Sequence, residues 1–291
     1  MQISQKKSWK AGLVLVILLF GNLLNFTSTP NSSATTESTL DTQFYKFKVV
    51  DLQVPAQWVA NLSRDGALAL SSDSGFFDKP PQLGGTNPNY NLFFKKSEGD
   101  WNKIANINFV TSGFTRYRIL DFKTGQFNPS DDLVSRTSIL ISMAAWDASL
   151  QCRFLTIYQK QISLKYVGDY NLDIPFFKSP CLPENSPDGK IVGPALHLSG
   201  GRIVFAERKD WLHQLPTVYL TIGDFELMAN PVVKISKTVE NFLTSVVFIN
   251  SKGESQPIAR GLRNPEGAAM AFYGGVPRLV TSSHGPRGGA R

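Results

Sequence analysis

The stretch "TSILISMAAWDASLQCRFLTIYQKQISLKYV", Thr137–Val167, decides the fold class. It contains two apolar runs, Thr137–Asp147 and Arg153–Val167, rich in Ile, Leu, Phe, Tyr and Thr. Neither sustains the three-to-four-residue spacing that would give a helix one apolar face. Branched and aromatic side chains suit a pleated surface, so both runs are expected to be strands.

The same texture extends in both directions. "FYKFKVVDLQV" (44–54), "GALALSS" (66–72), "YNLFFKK" (90–96), "WNKIANINFV" (101–110) and "RYRILDFK" (116–123) precede it. "RIVFAE" (202–207), "TVYLTIGD" (217–224), "TSVVFINSKG" (244–253), "GAAMAF" (267–272) and "RLVTSS" (278–283) follow. Turn signals fall between them: SEGDW, KTGQ, NSPDGK, NSKGE and FYGG. The chain therefore reads as all-β, with about a dozen strands arranged as a sandwich or a β-propeller. A propeller repeats a four-stranded unit every ~40–50 residues, and the spacing slightly favours it. The longest break, Ser71–Tyr90, reads as a connection between such units.

The N-terminus has a different character. Lys6, Lys7 and Lys10 precede an apolar stretch of about sixteen residues, Ala11–Phe26, and the polar "TSTPNSSATTEST" follows. That length fits a signal-peptide core, and no clean small-x-small site follows it, so an uncleaved membrane anchor is an equal reading. Either one exports the folded part to a periplasmic or extracellular location. The expected division is residues 1–42 as leader or anchor plus linker, and 43–291 as the β domain. In an oxidising compartment Cys152 and Cys181 are expected to pair, the alternative being two buried thiols. Net charge is +7, three units of it from those lysines, and no basic block remains to suggest a nucleic-acid partner.

The densest polar constellation lies near the C-terminus. Arg263 and Asn264 precede Pro265, which favours an extended backbone at Asn264. Arginine supplies a forked donor for carboxylates, and asparagine both donor and acceptor. In "HGPRGG" (284–289) the glycines let backbone carbonyls face a ligand, as calcium sites require. Upstream, His197 stands just before a strand and Asp224 ends the next, which is the raw material of a base oriented by a carboxylate. No Gly-x-Ser-x-Gly elbow occurs to support a hydrolase.

Taken in order, "HLSGGR" (197–202), "TIGD" (221–224), "GLRNPEG" (261–267) and "HGPRGG" (284–289) resemble the soluble glucose/sorbosone (aldose sugar) dehydrogenase family. The resemblance covers roughly Asp173–Arg291, and RNPEG and HGPRGG are its most specific parts. It implies a six-bladed β-propeller using pyrroloquinoline quinone (PQQ) and calcium to oxidise an aldose at C1, with electrons passed to an external acceptor. By that resemblance Arg263 and Asn264 contact cofactor and substrate, His284 is a polar position on the cofactor side, and the carbonyls of Gly285 and Pro286 bind calcium. Asp224 would orient the base, for which His197 is the candidate. The family's base can also fall one residue later, where this chain has Leu198. The family continues past the His-Gly-Pro turn with further blades bearing quinone ligands. The chain thus reads as an incomplete arc of about four to five blades, truncated and inactive as written. The alternative is an exported, non-enzymatic propeller that binds without catalysis.

Overall fold

A computed structural model describes residues 36–41, 46–51, 56–61, 66–72, 90–96, 99–109, 114–125, 136–165, 167–183, 199–206, 216–225 and 241–283. Apart from helical backbone at Asn241–Phe242, every regular element among them is a β-strand. The chain divides into two units, Met1–Gln53 and Val54–Arg291. In the first, β1 (Thr36–Asp41) and β2 (Lys46–Asp51) form an antiparallel pair running from Thr36↔Asp51 to Asp41↔Lys46. Strand β1 falls in the polar stretch expected to be linker. The apolar segment Ala11–Phe26 lies outside the described residues.

The second unit is a series of meanders in chain order. β3 (Trp58–Asn61), β4 (Gly66–Ser72), β5 (Tyr90–Lys96) and β6 (Asn102–Phe109) run antiparallel, each beside the last. β7 (Phe114–Thr124), β8 (Arg136–Asp147) and β9 (Cys152–Ser163) begin the next sheet. The chain then crosses back, and β10 (Gly168–Leu172) joins β6 in parallel. β11 (Pro175–Lys178) and β12 (Leu182–Pro183) return to pair with β9. β13 (Gly200–Phe205), β14 (Val218–Ile222), β15 (Ser245–Ile249) and β16 (Ser255–Arg260) make a four-stranded sheet. β17 (Pro265–Tyr273) and β18 (Val276–Ser283) form a hairpin. First strands lie side by side: β7 packs against β3 and β13, and β13 against β17.

The opening stretch shows why the middle sheet is so apolar. Ile139, Ile141, Met143 and Ala145 of β8 point into a core shared with Leu68, Leu70, Leu92 and Ile107. Leu140, Ala144 and Trp146, on the opposite face, enter a second core with Ile203, Leu220, Ile222 and Val247. Side chains alternate along a strand, so a strand buried on both faces must be apolar at consecutive positions. The run "ILISMAAW" is that signature.

An aromatic cluster fills part of the first core. Phe109 packs against Tyr117 with ring centroids 5.0 Å apart, and against Tyr90 and Tyr158 at 5.6 Å each. Such edge and tilted pairs each add about 0.5–1.5 kcal/mol beyond their buried area. Burial pushes the Tyr117 phenol up to about 12. It does the same to Tyr158, with the charges of Asp173 and Tyr117 adding to the effect.

The β8–β9 turn is organised by Asp147. Its Oδ1 accepts hydrogen bonds from Ser149 N (3.0 Å), Ser149 Oγ (2.6 Å) and Leu150 N (3.1 Å). Burial works to raise this carboxyl's pKa, but those donors and the Lys178 charge prevail and hold it below its ordinary value. Just past the turn the sulfurs of Cys152 and Cys181 lie at bonding distance, 29 residues apart in sequence, as the cysteine reading expects.

Candidate functional site

Three of the residues singled out by sequence meet at one corner of the second unit. Asp224 follows β14, and Arg263 and Asn264 precede β17. The side-chain carbonyl of Asn264 accepts a hydrogen bond from the Asp224 backbone N–H at 3.0 Å. Arg263 Nε lies 3.8 Å from Asp224 Oδ2. Asp224 and Asn264 are buried, whereas Arg263 keeps 29% of its side chain exposed. A buried carboxylate needs a cation or donors to offset desolvation, and Arg263 supplies that charge from the solvent side. Arginine carries a forked donor, and here its Nε faces a fixed carboxylate.

The backbone around this corner is unusual. Among the described residues only four non-glycines have positive φ, and three stand here: Phe225 (50°), Thr244 (54°) and Asn264 (45°). Each such conformation costs about 1–3 kcal/mol and persists only where surrounding contacts impose it. Those contacts are visible. Gly223 N donates to Ser199 O (2.9 Å), Thr244 N to Gly223 O (3.3 Å) and Leu262 N to Thr244 O (2.9 Å). Asn264 thus departs from the extended backbone expected of a residue before proline. Asparagine tolerates the left-handed region, and its hydrogen bond to Asp224 outweighs the local preference.

His197, Leu198, His284, Gly285 and Pro286 lie outside the described residues. Their flanking residues lie at this same end of the unit. Ser199, two positions after His197, accepts from Gly223, the neighbour of Asp224. Ser283, the last residue before His284, pairs with Pro265, the residue after Asn264. Described residues of HLSGGR, TIGD and GLRNPEG therefore meet at one corner, and Ser283, just before the fourth motif, pairs with Pro265 there. No group of three or more His, Cys, Asp or Glu able to hold a metal occurs among the described residues.

Two residues escaped the sequence reading of this region. Asp121 is buried on β7. Its Oδ2 accepts from Ile203 N (2.9 Å), its Oδ1 from Phe122 N (2.9 Å), and Lys123 Nζ and Arg202 Nη1 each stand 3.6 Å away. Arg202 reaches Leu120 O (3.3 Å) on β7 and Glu266 O (2.5 Å) on β17, while its backbone N donates to Thr221 Oγ1 (2.9 Å) on β14. One side chain thus joins the first strands of three successive sheets and holds the start of β17 at Glu266, three residues after Arg263. A β-bulge interrupts the ladder between Gly200 and Ile203 beside it. Gly201, with φ +89°, could not carry a β-carbon there without meeting the Leu120 side chain at 2.4 Å. The signal for Arg202 was present in the Gly-Gly-Arg triplet, but Asp121 sits in an ordinary strand run and gave none.

No protein-family model, no curated protein and no solved structure matches this chain.

Proposed function

We propose that this chain carries part of the site of a PQQ-dependent aldose dehydrogenase, built on successive blades of a β-propeller. The observation that carries this reading is the meeting of Asp224, Arg263 and Asn264 at one corner, where backbone next to the two histidine motifs also arrives. The propeller assignment rests on two five-stranded sheets, one four-stranded sheet and the β17–β18 hairpin, whose first strands, β3, β7, β13 and β17, stand next to one another in chain order.

The residues present suit the cofactor in part. Arg263, partly exposed, has a guanidinium fork suited to a quinone carboxylate. Asn264 is buried with its carbonyl engaged by Asp224, so it positions the corner and leaves contact to its neighbour. Asp224, held by Arg263, would fix the orientation of His197, which takes the proton of the sugar hydroxyl. When bound, PQQ supplies the two-electron acceptor and calcium polarises it.

A second reading, an exported module that binds without catalysis, draws support from the same burial of Asn264, since a scaffold corner needs no exposed donor. Titration with PQQ in the presence of calcium, followed by quenching of protein fluorescence, separates the two. Saturable binding that Arg263→Ala weakens by about tenfold supports the quinone site. Absent binding, or equal binding by the variant, overturns it. Aldose binding without quinone binding assigns the chain to the second reading.

A further inference from the structure

The Asp224 corner has a third support besides Arg263 and Asn264. Arg153, buried at the start of β9, donates from Nη1 to the carbonyl of Phe225 at 2.9 Å. Phe225 follows Asp224 and holds one of the three left-handed conformations described above. A hydrogen bond from a charged donor is stronger than a neutral one and helps offset the cost of that backbone geometry. Arg153 thus bears on the peptide unit that carries Asp224.

What holds Arg153 is the end of a ladder. Its backbone pairs with Trp146 of β8 on one side and with Leu182 of β12 on the other. Strand β12 is only Leu182–Pro183, too short to hold its register alone. Upstream, Ser179 is anchored: its N donates to Leu155 O (2.8 Å), and its Oγ accepts from Leu155 N (3.0 Å). Between that anchor and β12, the chain is tied to β9 by Cys181, bridged to Cys152, the residue before Arg153. Cys152 is buried and Cys181 exposed, so a soluble thiol reaches the bond from the Cys181 side.

We propose that Arg153 is the positioning residue of the Asp224 corner and that the Cys152–Cys181 disulfide governs its grip, making the corner redox-sensitive. A dithiol reductant delivers two electrons and two protons. Its sulfurs join as a disulfide, and Cys152 and Cys181 end as thiols. β12 then loses its tether, the start of β9 becomes a sheet edge, and the Arg153 guanidinium no longer holds Phe225 in register. Ser179 confines the loosening to this end of β9. The proposal concerns the same corner as the quinone reading but uses no quinone, so either can fail alone.

Amide hydrogen exchange of the full chain, resolved by peptide, tests it. Reduction should accelerate exchange at Asp224 about tenfold while the β8 and β15 ladders hold their rates. Arg153→Met should show the fast rate while still oxidised and respond no further to dithiol. Arg153→Lys, which keeps a charged donor, should recover most of the protection. Unchanged exchange at Asp224 on reduction overturns the proposal, as does uniform acceleration of every strand. Continued dithiol sensitivity in Arg153→Met also overturns it. If Arg153→Met does not fold, the Cys152→Ser/Cys181→Ser double variant must show the fast rate at Asp224 for the proposal to stand.

Discussion

The side-chain carbonyl of Asn264 accepts the backbone N–H of Asp224 at 3.0 Å, tying the loop before β17 to the end of β14. The bond spans 40 residues of sequence and is buried, so neither partner has water as an alternative. Asn264 does this with φ at +45°, which only a few residue types adopt at small cost.

Replacing it separates the two contributions. Asn264→Ala should lose the bond and strain the backbone, lowering stability by about 2–4 kcal/mol. Asn264→Gly should lose the bond without the strain and cost about 1 kcal/mol less. Urea unfolding of the two variants gives the comparison. An alanine variant as stable as the glycine one contradicts the assigned backbone strain.

The two-faced burial of β8 makes a contrast within one element. Leu140→Ala and Ile141→Ala point to different cores, and each should cost about 2–5 kcal/mol. Val280→Ala on exposed β18 should cost about 0.5 kcal/mol or less. A silent change at either β8 position would show that its face is not packed as described.

Arg202 should not tolerate lysine. Its reach to Glu266 O, Leu120 O and Asp121 needs a branched donor, and an ammonium is a single point of charge. Arg202→Lys is expected to lower stability by about 1–3 kcal/mol. It should also speed amide exchange at the start of β17 more than in the distant β5. Equal exchange in both strands would contradict its role as a tie between sheets.

Alkaline pH should weaken the fold through the tyrosine cluster. The phenols of Tyr117 and Tyr158 sit near pH 12 in the folded state, against 10.0 ordinarily. Above pH 10 the unfolded chain releases these protons while the folded protein keeps them. Stability present below about pH 10 is therefore lost progressively toward pH 12, by up to about 2–3 kcal/mol for each tyrosine. Guanidinium midpoints recorded across that range should fall, and Tyr158→Phe should make the fall shallower. A slope unchanged in that variant would remove Tyr158 from the explanation.

The sequence carried the fold class well because strand texture is local. The dozen runs from "FYKFKVVDLQV" to "RLVTSS" all contain strands. β1, β3, β10, β11, β12 and β16 were not legible. Tyr170 and Leu172 of β10 alternate with polar residues, but its parallel pairing to β6 depends on a distant partner. β11 and β12 are short pieces held by β9. β16, "SQPIAR", carries a proline and little apolar surface, as an outer strand permits. β1 is built from Thr, Glu and Ser and gains definition only from pairing with β2. At the corner, Asp224, Arg263 and Asn264 were visible as motif residues, but the left-handed backbone of Asn264 arises from a contact 40 residues away. Arg153 was invisible for the same reason, since its partner Phe225 is 72 residues distant.

The central proposal is that His197 and His284 both face the Asp224 corner, and the distance between them tests it most directly. Spin labels on cysteines substituted at these two positions, with the native disulfide intact, give that distance by pulsed electron resonance. The account predicts a narrow distribution centred within about 20 Å, the span of a small-molecule pocket plus two label tethers. A separation beyond about 35 Å, comparable to the breadth of a domain this size, would place the two motifs at different sites and end the sugar-oxidation reading.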